Sequence, residues 1–175
     1  GKYISIIDSD DVYHPDKLKT QFALITSRKS VQLICSSAKI INVSNKCVGT
    51  YNVPESHYEL VNNIFKMNPF PHSTVMYNKK AAIKIGGYNE KCEKSIDYNL
   101  YLEFIRNGYK FCGINKRLVD FRFHLNSWGR CDDDGLQFQY GLIGLLNFFQ
   151  ENNKQIGILS KKNKNWEKSK NLFKH

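Results

Sequence analysis

The sequence has no apolar run approaching the roughly 20 residues that a membrane-spanning helix needs, and no signal peptide is recognisable at its start, which is not a Met. Internal repeats and low-complexity segments are also absent. Because 41% of the 175 residues are hydrophobic and 13% are aromatic, the chain is expected to bury a core as a globular domain rather than to stay disordered.

Cysteine patterns typical of disulfide frameworks and zinc sites are missing too. The five cysteines are odd in number and include no C-x-x-C pair. This pattern favours reduced thiols and therefore a cytoplasmic protein.

Acidic residues are scarce, since 16 Asp and Glu face 26 Lys and Arg, for a formal net charge of +10. The segment from Lys154 to Lys174 contains seven lysines and one acid, Glu167. The simpler interpretation is a solvated tail, and the functional one is contact with acidic lipid at the inner face of the plasma membrane. No recognised nucleic-acid motif accompanies this charge, so no nucleic acid partner is expected.

Hydrophobic periodicity predicts alternating strands and helices. Strands are predicted at 2–7, 31–35, 38–43, 73–77, 110–115 and 117–124, and helices at about 15–28, 57–67, 79–85, 95–107 and from 134 onward. Leu18, Phe22 and Ile25 are predicted to form the buried stripe of the first helix, and Ser95 to cap the fourth. This alternation indicates an α/β layered domain with a mixed sheet, in which ligands bind beyond the carboxyl ends of strands.

Three carboxylates follow the first predicted strand in the segment GKYISIIDSDDVYHPDKL. Clustered carboxylates repel one another unless a cation lies among them, and hard divalent metals prefer oxygen ligands. Asp8, Asp10 and Asp11 therefore predict a metal site. The alternative is that Asp11 caps the next helix while Asp8 and Asp10 lie in a solvated turn.

Two other site types share parts of this pattern. An EF-hand loop needs Gly and Glu where this chain has Tyr13 and Lys19, which excludes it. A dehalogenase-like phosphatase would use Asp8 as a nucleophile, but the residues expected after its second Asp are Gly and Thr, and here they are Asp11 and Val12.

Four segments in order carry a family resemblance. They are GKYISIIDSDDVYHPDKLKTQ (1–21), NPFPHSTVMYNKKAAIKIGGYNE (68–90), SIDYNLYLEF (95–104) and FRFHLNS (121–127). Together they resemble the family 2 glycosyltransferases of the GT-A fold, with their D-x-D strand, His-Ser-x-x-Met strand, Gly-Gly-Tyr turn, acidic helix start and late Arg-x-His. The resemblance covers residues 1–127.

Two departures from the family accompany the resemblance. The acid that usually precedes the catalytic Asp is Ile96 here. The strands that build most of the nucleotide pocket in the family precede the D-x-D, whereas this chain begins at Gly1. The resemblance therefore implies an incomplete GT-A (Rossmann-like) mixed sheet flanked by helices. It divides into a transferase part over 1–130, a C-terminal helix over 131–153 and a basic tail over 154–175.

The resemblance implies roles for the acidic and basic residues. Asp8 and Asp10 match the D-x-D and would bind Mn²⁺ or Mg²⁺, with Asp8 also reaching the donor. His124 would complete the metal site, and an imidazole ligand favours manganese. Arg122 would pair with the diphosphate. Each residue also has a purely structural alternative, a packing histidine for His124 and an exposed arginine for Arg122.

The remaining roles concern the acceptor side. Asp97 matches the catalytic base, and its alternative is an acid favoured at any helix start. His72 and Ser73 would line the acceptor or sugar side, or simply turn a corner. Gly87, with Gly86, serves a tight turn that could approach the sugar.

The predicted function is metal-dependent transfer of a sugar from a nucleotide-sugar donor, with a UDP-sugar favoured, to a hydroxyl of a glycan or lipid-linked acceptor. The transfer is predicted to be inverting and to serve surface polysaccharide or glycoconjugate synthesis. The alternative is an inactive glycosyltransferase fragment that acts as a binding or interaction domain. This chain alone is expected to be poorly soluble or inactive on nucleotide sugars.

Overall fold

A computed structural model describes residues 1–66, 68, 70–123 and 136–159 of the chain. The strands are β1 (Tyr3–Ser5), β2 (Val12–Tyr13), β3 (Val31–Ile41), β4 (Cys47–Tyr51), β5 (Met76–Asn78) and β6 (Lys110–Arg122). The helices are α1 (Lys17–Ser27), α2 (His57–Ile64), α3 (Lys79–Lys84), α4 (Ile96–Arg106) and α5 (Leu136–Leu159), and a single 3₁₀ turn covers His72–Thr74. Helix α5 extends beyond its predicted end at 153 into the first six residues of the predicted basic tail (154–175), and the rest of that tail, from 160 onward, lies outside the described residues.

The six strands form one mixed sheet in the order β1-β5-β3-β6-β2, with β4 added to β3. The central strands β3 and β6 run parallel, from the pair Val31–Lys110 to the pair Ile41–Arg122. All other neighbours are antiparallel. A mixed sheet flanked by helices confirms the predicted fold class.

Two pairs of predicted strands are each a single strand in the structure. The strands predicted at 31–35 and 38–43 form the single β3, and the last two predicted strands form the single β6. Ser36 and Ser37 lie between the two strands predicted at 31–35 and 38–43, and both are fully buried within β3. The ladder to β6 shifts register at this point, and Ser37 Oγ accepts a hydrogen bond from Val53 N over 3.1 Å. The extra residues lie on β6, where Asn115 and Lys116 stand between the partners of Ser36 and Ser37, so β6 bulges beside the polar pair.

The face that α1 turns to the sheet also differs from the prediction. Lys17, Gln21 and Ile25 are buried, whereas Leu18 and Phe22 are both more than half exposed. Gln21 Nε2 donates to Thr74 O over 2.7 Å, so the buried amide is paired. The helix thus brings a polar row to the sheet because its buried partners are themselves polar.

The core lies on both faces of the sheet, since β3 alternates its side chains between them. Leu33 and Cys35 join the larger cluster under α2 and α4, and Ile34 joins the smaller one under α1. β6 passes very close to the connection before α2: a Cβ on Gly113 would lie 2.9 Å from the carbonyl carbon of Pro54 and nearer still to its oxygen. Only glycine fits there.

Helix α5 packs against α4 at one end of the domain. Gly144 permits this approach, because a Cβ there would lie 2.5 Å from Asn99 Oδ1. Phe148 is buried against Phe65, with ring centroids 5.4 Å apart. Within the described ranges, no helix combines the length and the apolar character needed to cross a membrane.

Candidate functional site

The acidic loop, residues 8–11, follows β1 and is held by Tyr13. The Tyr13 hydroxyl accepts a hydrogen bond from Asp8 N and donates one to Asp8 O over 2.9 Å. Asp11 N closes the turn by donating to Asp8 O over 3.3 Å. Burial raises the pKa of Tyr13 to about 12, so its hydroxyl remains protonated and available to donate.

Asp11 is not a helix cap, which corrects the alternative considered from the sequence. The N-cap of α1 is Asp16, and its side chain makes no capping bond either. Asp11 Oδ1 instead accepts from Arg122 N over 2.7 Å, whereas Oδ2 is buried and has no hydrogen-bond partner among the described residues. Burial raises the pKa of Asp11, and the nearby Ser73 hydroxyl opposes this shift.

Arg122 lies at the end of β6 and fastens the acidic loop to the sheet. Its Nε donates to Asp10 O over 2.7 Å, and its Nη1 donates to Asn42 O over 3.0 Å. The guanidinium thus lies at the predicted donor site, where it binds main-chain carbonyls. Pairing with a diphosphate stays a prediction.

Lys17 is a buried cation that sequence reasoning missed. Only 2% of the residue is exposed, and its Nζ donates to Ser5 Oγ over 2.8 Å and to Ile6 O over 3.0 Å. Nζ also lies 5.1 Å from the centroid of the Tyr13 ring. Burial lowers the pKa of Lys17 to about 8, and the charges of Asp8 and Asp11 oppose this shift. The ammonium is therefore a countercharge beneath the acidic loop.

The carboxyl of Asp8 is influenced by charges from several elements. Its pKa is raised, mainly by burial and also by the charges of Asp10 and Asp97, while His72 and Lys17 lower it. Asp97 and His72 come from α4 and from the 3₁₀ turn. The predicted catalytic and metal-binding carboxylates thus lie within electrostatic range of each other.

Asp97 lies in the first turn of α4, and Asn68 holds its carboxylate. Asn68 Nδ2 donates to Asp97 Oδ2 over 2.7 Å. Ser95 occupies the N-cap position but its side chain does not cap the helix, contrary to the prediction; its φ of 53° is left-handed, and its Oγ donates to Gln137 O over 2.8 Å. A non-glycine residue in this region carries backbone strain.

Ser73 lies in the interior, whereas His72 is half-buried. His72 Nδ1 shares a 2.6 Å hydrogen bond with the Tyr101 hydroxyl, and Nε2 shares one of 3.0 Å with Tyr88. Burial lowers the pKa of His72, which favours a neutral ring with one donor and one acceptor nitrogen. Ser73 is fully buried, and its Oγ has no partner in the described part of the chain.

Gly87 belongs to the turn after α3. Its φ is +70° and that of Gly86 is +95°, so both adopt the left-handed region that favours glycine. A Cβ on Gly87 would meet no atom within 4 Å. The turn therefore serves backbone conformation, and it places Tyr88 against His72.

The carboxylates only partly satisfy the needs of a divalent cation. Asp8 and Asp10 supply hard oxygen atoms, and the unpaired Asp11 Oδ2 lies in the same loop. Over the described residues, however, no three His, Cys, Asp or Glu side chains are grouped to hold a metal. The predicted ligand His124 lies outside those residues.

The sequence was compared with known proteins. No family model matches the chain. It is 31% identical over 124 residues to an uncharacterised glycosyltransferase of Methanocaldococcus jannaschii, covering 70% of this chain and 42% of that protein. A chondroitin synthase of Pasteurella multocida is 27% identical over 117 residues, which is 66% of this chain and 12% of that protein. The relatives also include a UDP-Gal:alpha-D-GlcNAc-diphosphoundecaprenol beta-1,3-galactosyltransferase of Escherichia coli, 25% identical over 116 residues, with 66% of this chain and 42% of that protein covered.

Solved structures give the same fold. Crystal structures of TarS from S. aureus superpose with TM-scores of 0.50 to 0.51 at 17–18% identity. The TarS 1–349 structure in complex with UDP covers 96% of this chain, and the chain covers 52% of it. By contrast, the chain spans less than half the length of the M. jannaschii relative and of a similar glycosyltransferase of Haemophilus influenzae. In sequence the chain is similar to parts of glycosyltransferases, and its fold is the GT-A type that it shares with these structures.

Proposed function

We propose that this chain is part of a family 2 enzyme that transfers a sugar, with inversion, from a nucleotide-sugar donor to an acceptor hydroxyl. The transfer would serve polysaccharide or glycoconjugate synthesis. The observation that carries the proposal is the electrostatic proximity of Asp97 to Asp8, which are 89 positions apart in the sequence. An inverting transfer needs these two functions, a base and a diphosphate site, on opposite sides of one sugar.

In this reaction the bond from the sugar anomeric carbon to the diphosphate breaks as a bond to the acceptor oxygen forms. Asp97 accepts the proton of the acceptor hydroxyl, and the nucleoside diphosphate leaves with the bonding pair. Asn68 orients Asp97 through the 2.7 Å hydrogen bond and leaves Oδ1 of Asp97 for the acceptor. His72 is held by Tyr88 and Tyr101 on the side of Asp8 and Asp97, where it would shape the sugar pocket. The fully buried Ser73 and the turn at Gly87 would support this position rather than touch the sugar.

Asp8 and Asp10 would hold a divalent cation, and His124 is the predicted third ligand. When bound, Mn²⁺ or Mg²⁺ neutralises the charge that develops on the leaving diphosphate. Arg122 fixes the loop that carries both carboxylates, since it binds Asp10 O, and its remaining N–H groups would reach the diphosphate.

The donor and acceptor classes follow from the relatives. TarS was solved with UDP, and the name of the E. coli relative specifies a UDP-sugar donor and a diphosphoundecaprenol-linked acceptor. A UDP-sugar donor and a glycan or lipid-linked acceptor are proposed here on that basis. A lipid-linked acceptor would place the enzyme at the cytoplasmic face of a membrane, where the lysines of the tail would contact acidic lipid.

Calorimetry of the chain with UDP and Mn²⁺ tests the proposal. UDP is expected to bind more tightly with Mn²⁺ than with EDTA, and Asp8→Asn is expected to remove that difference. The matched control is Asp120→Asn, a carboxylate on β6 that pairs with Lys39. Mn²⁺-dependent binding of UDP that is unchanged in Asp8→Asn would contradict the proposed donor site.

A further inference from the structure

A cavity of about 320 Å³ lies between α4, α5 and the residues that follow α2. One wall is polar and comprises Lys66, Asn68, Ser95 and Tyr98, whereas α5 supplies Phe138, Leu142 and Leu145 to the other. The proposed reaction assigns no ligand to this cavity. Its size lies at the lower end of the range for small-molecule sites.

The polar wall leads to the proposed catalytic base. Asn68 lines the cavity and also donates through Nδ2 to Asp97. Its Oδ1 is buried and lacks a hydrogen-bond partner among the described residues. A buried amide oxygen without a partner is costly, so Asn68 is the least well satisfied polar group beside the cavity. The strained residue Ser95 borders the same wall.

The α5 wall continues into exposed apolar surface. Phe138 is 74% exposed, Leu142 is 44% exposed, and Leu146 and Phe149 are exposed one and two turns further along. The sequence from 136 to 150 contains no charged residue. An apolar surface of this kind, adjoining a partly polar cavity, is typical of a binding site for an amphipathic molecule.

We infer that this cavity binds the start of the apolar chain of the acceptor, whose sugar head lies at Asn68 and Asp97. The acceptor class is a sugar joined to a lipid chain, rather than a free glycan. Asn68 connects the two halves, because it touches both the cavity and the base. That the ligand is the acceptor rests on the proposed function. The binding of an amphipathic glycoside can be measured without any donor.

The probes are butyl, hexyl and octyl β-glucoside, titrated below their micelle concentrations into the isotopically labelled chain and followed by its amide signals. Each pair of added methylenes is expected to tighten binding about fifteenfold as long as the alkyl group of the glucoside is fully buried. The shifted signals are expected to include Ser95, Asn99 and Gly141. An affinity that does not change with chain length would overturn the inference.

Two neighbouring residues of α5 provide a matched pair of variants. Leu142→Gln removes an apolar wall of the cavity, whereas Ile143→Gln removes a side chain of similar exposure that does not line it. The gain in affinity with alkyl length is expected to disappear in Leu142→Gln and to persist in Ile143→Gln. Equal losses in both would instead indicate adsorption to the helix surface and would exclude the cavity.

Gly141→Ala separates loss of the site from loss of the fold. A Cβ at Gly141 would lie 3.8 Å from Ser95 Oγ, which is ordinary contact, and alanine favours the helix. This variant is expected to fold at least as stably and to bind octyl glucoside several times more weakly. Unchanged affinity for octyl glucoside would contradict the cavity. If Asp8→Asn leaves Mn²⁺-dependent UDP binding unchanged but affinity still rises with alkyl length, the donor-site proposal falls while the glycoside site stands.

Discussion

The Nζ of Lys17 lies 2.8 Å from Ser5 Oγ, beneath the loop that carries three carboxylates. Because burial lowers the pKa of Lys17 to about 8, the folded protein loses this proton before the unfolded chain, whose lysines titrate near 10.4. Between these pH values the unfolded state binds more protons, so stability contributed by this group rises with pH.

The first prediction is that the free energy of unfolding of the wild type, measured in urea, rises by about 2 to 3 kcal/mol relative to that of Lys17→Met between pH 7 and pH 10. Lys19→Met, which alters an exposed lysine of the same helix, is the control and should follow the wild type. Parallel pH profiles for wild type and Lys17→Met would show that the ammonium is better solvated than its 2% exposure indicates.

The second prediction concerns Asp10. Asp10→Ala is expected to weaken Mn²⁺ binding in the presence of UDP by at least tenfold, because a carboxylate ligand is lost from a site with few others. Calorimetry measures this directly. Asp16→Asn changes an exposed carboxylate six positions away and should bind like the wild type. Equal Mn²⁺ affinity in Asp10→Ala and wild type would remove Asp10 from the metal site.

The third prediction concerns Asp97 in a protein that contains this chain and turns over a donor. Asp97→Asn keeps the size of the side chain but cannot take up the proton of the acceptor. We expect kcat to fall by about 10²–10⁴ with donor affinity nearly unchanged. Steady-state kinetics at saturating donor measure both quantities. Wild-type turnover in Asp97→Asn would mean that this residue serves only the start of α4.

The fourth prediction concerns the strand that passes under Pro54. Gly113→Ala forces a methyl group into the Pro54 carbonyl, so the backbone must move. Overpacking of this kind costs about 1–3 kcal/mol or more. Gly49→Ala is the matched control in a strand, since its Cβ would lie 3.5 Å from Ile40 Cδ1, an ordinary contact. Equal urea midpoints for the two variants would contradict the close approach.

Local patterns predicted the type of most elements because each depends on a few neighbouring residues. The hydrophobic period of α4, and the glycines that follow α3 and α4, predict ends for these two helices that nearly match the observed ones. Acidic residues after a short strand likewise marked the loop at Asp8. These features could be predicted since backbone preference and hydropathy determine them.

What the sequence did not reveal depends on contacts between distant residues. The spacing of Lys17, Gln21 and Ile25 at four-residue intervals marks one face of α1, but hydropathy favoured the row with Leu18 and Phe22. The partners that make Lys17 and Gln21 acceptable inside, Ile6 O and Thr74 O, cannot be read from α1. Asn68 was overlooked for the same reason, because its hydrogen bond to Asp97 spans 29 positions.

The parallel pairing of β3 with β6 also governs when the site can form. During synthesis β3 emerges long before its neighbour, since Val31 pairs with Lys110. Arg122, which fastens the acidic loop, lies 111 positions after Asp11. A nascent chain therefore leaves the β6 edge of β3 unpaired, and the carboxylate loop unfastened, until β6 has left the ribosome. Protection of β3 by a chaperone during that interval would favour productive folding over aggregation.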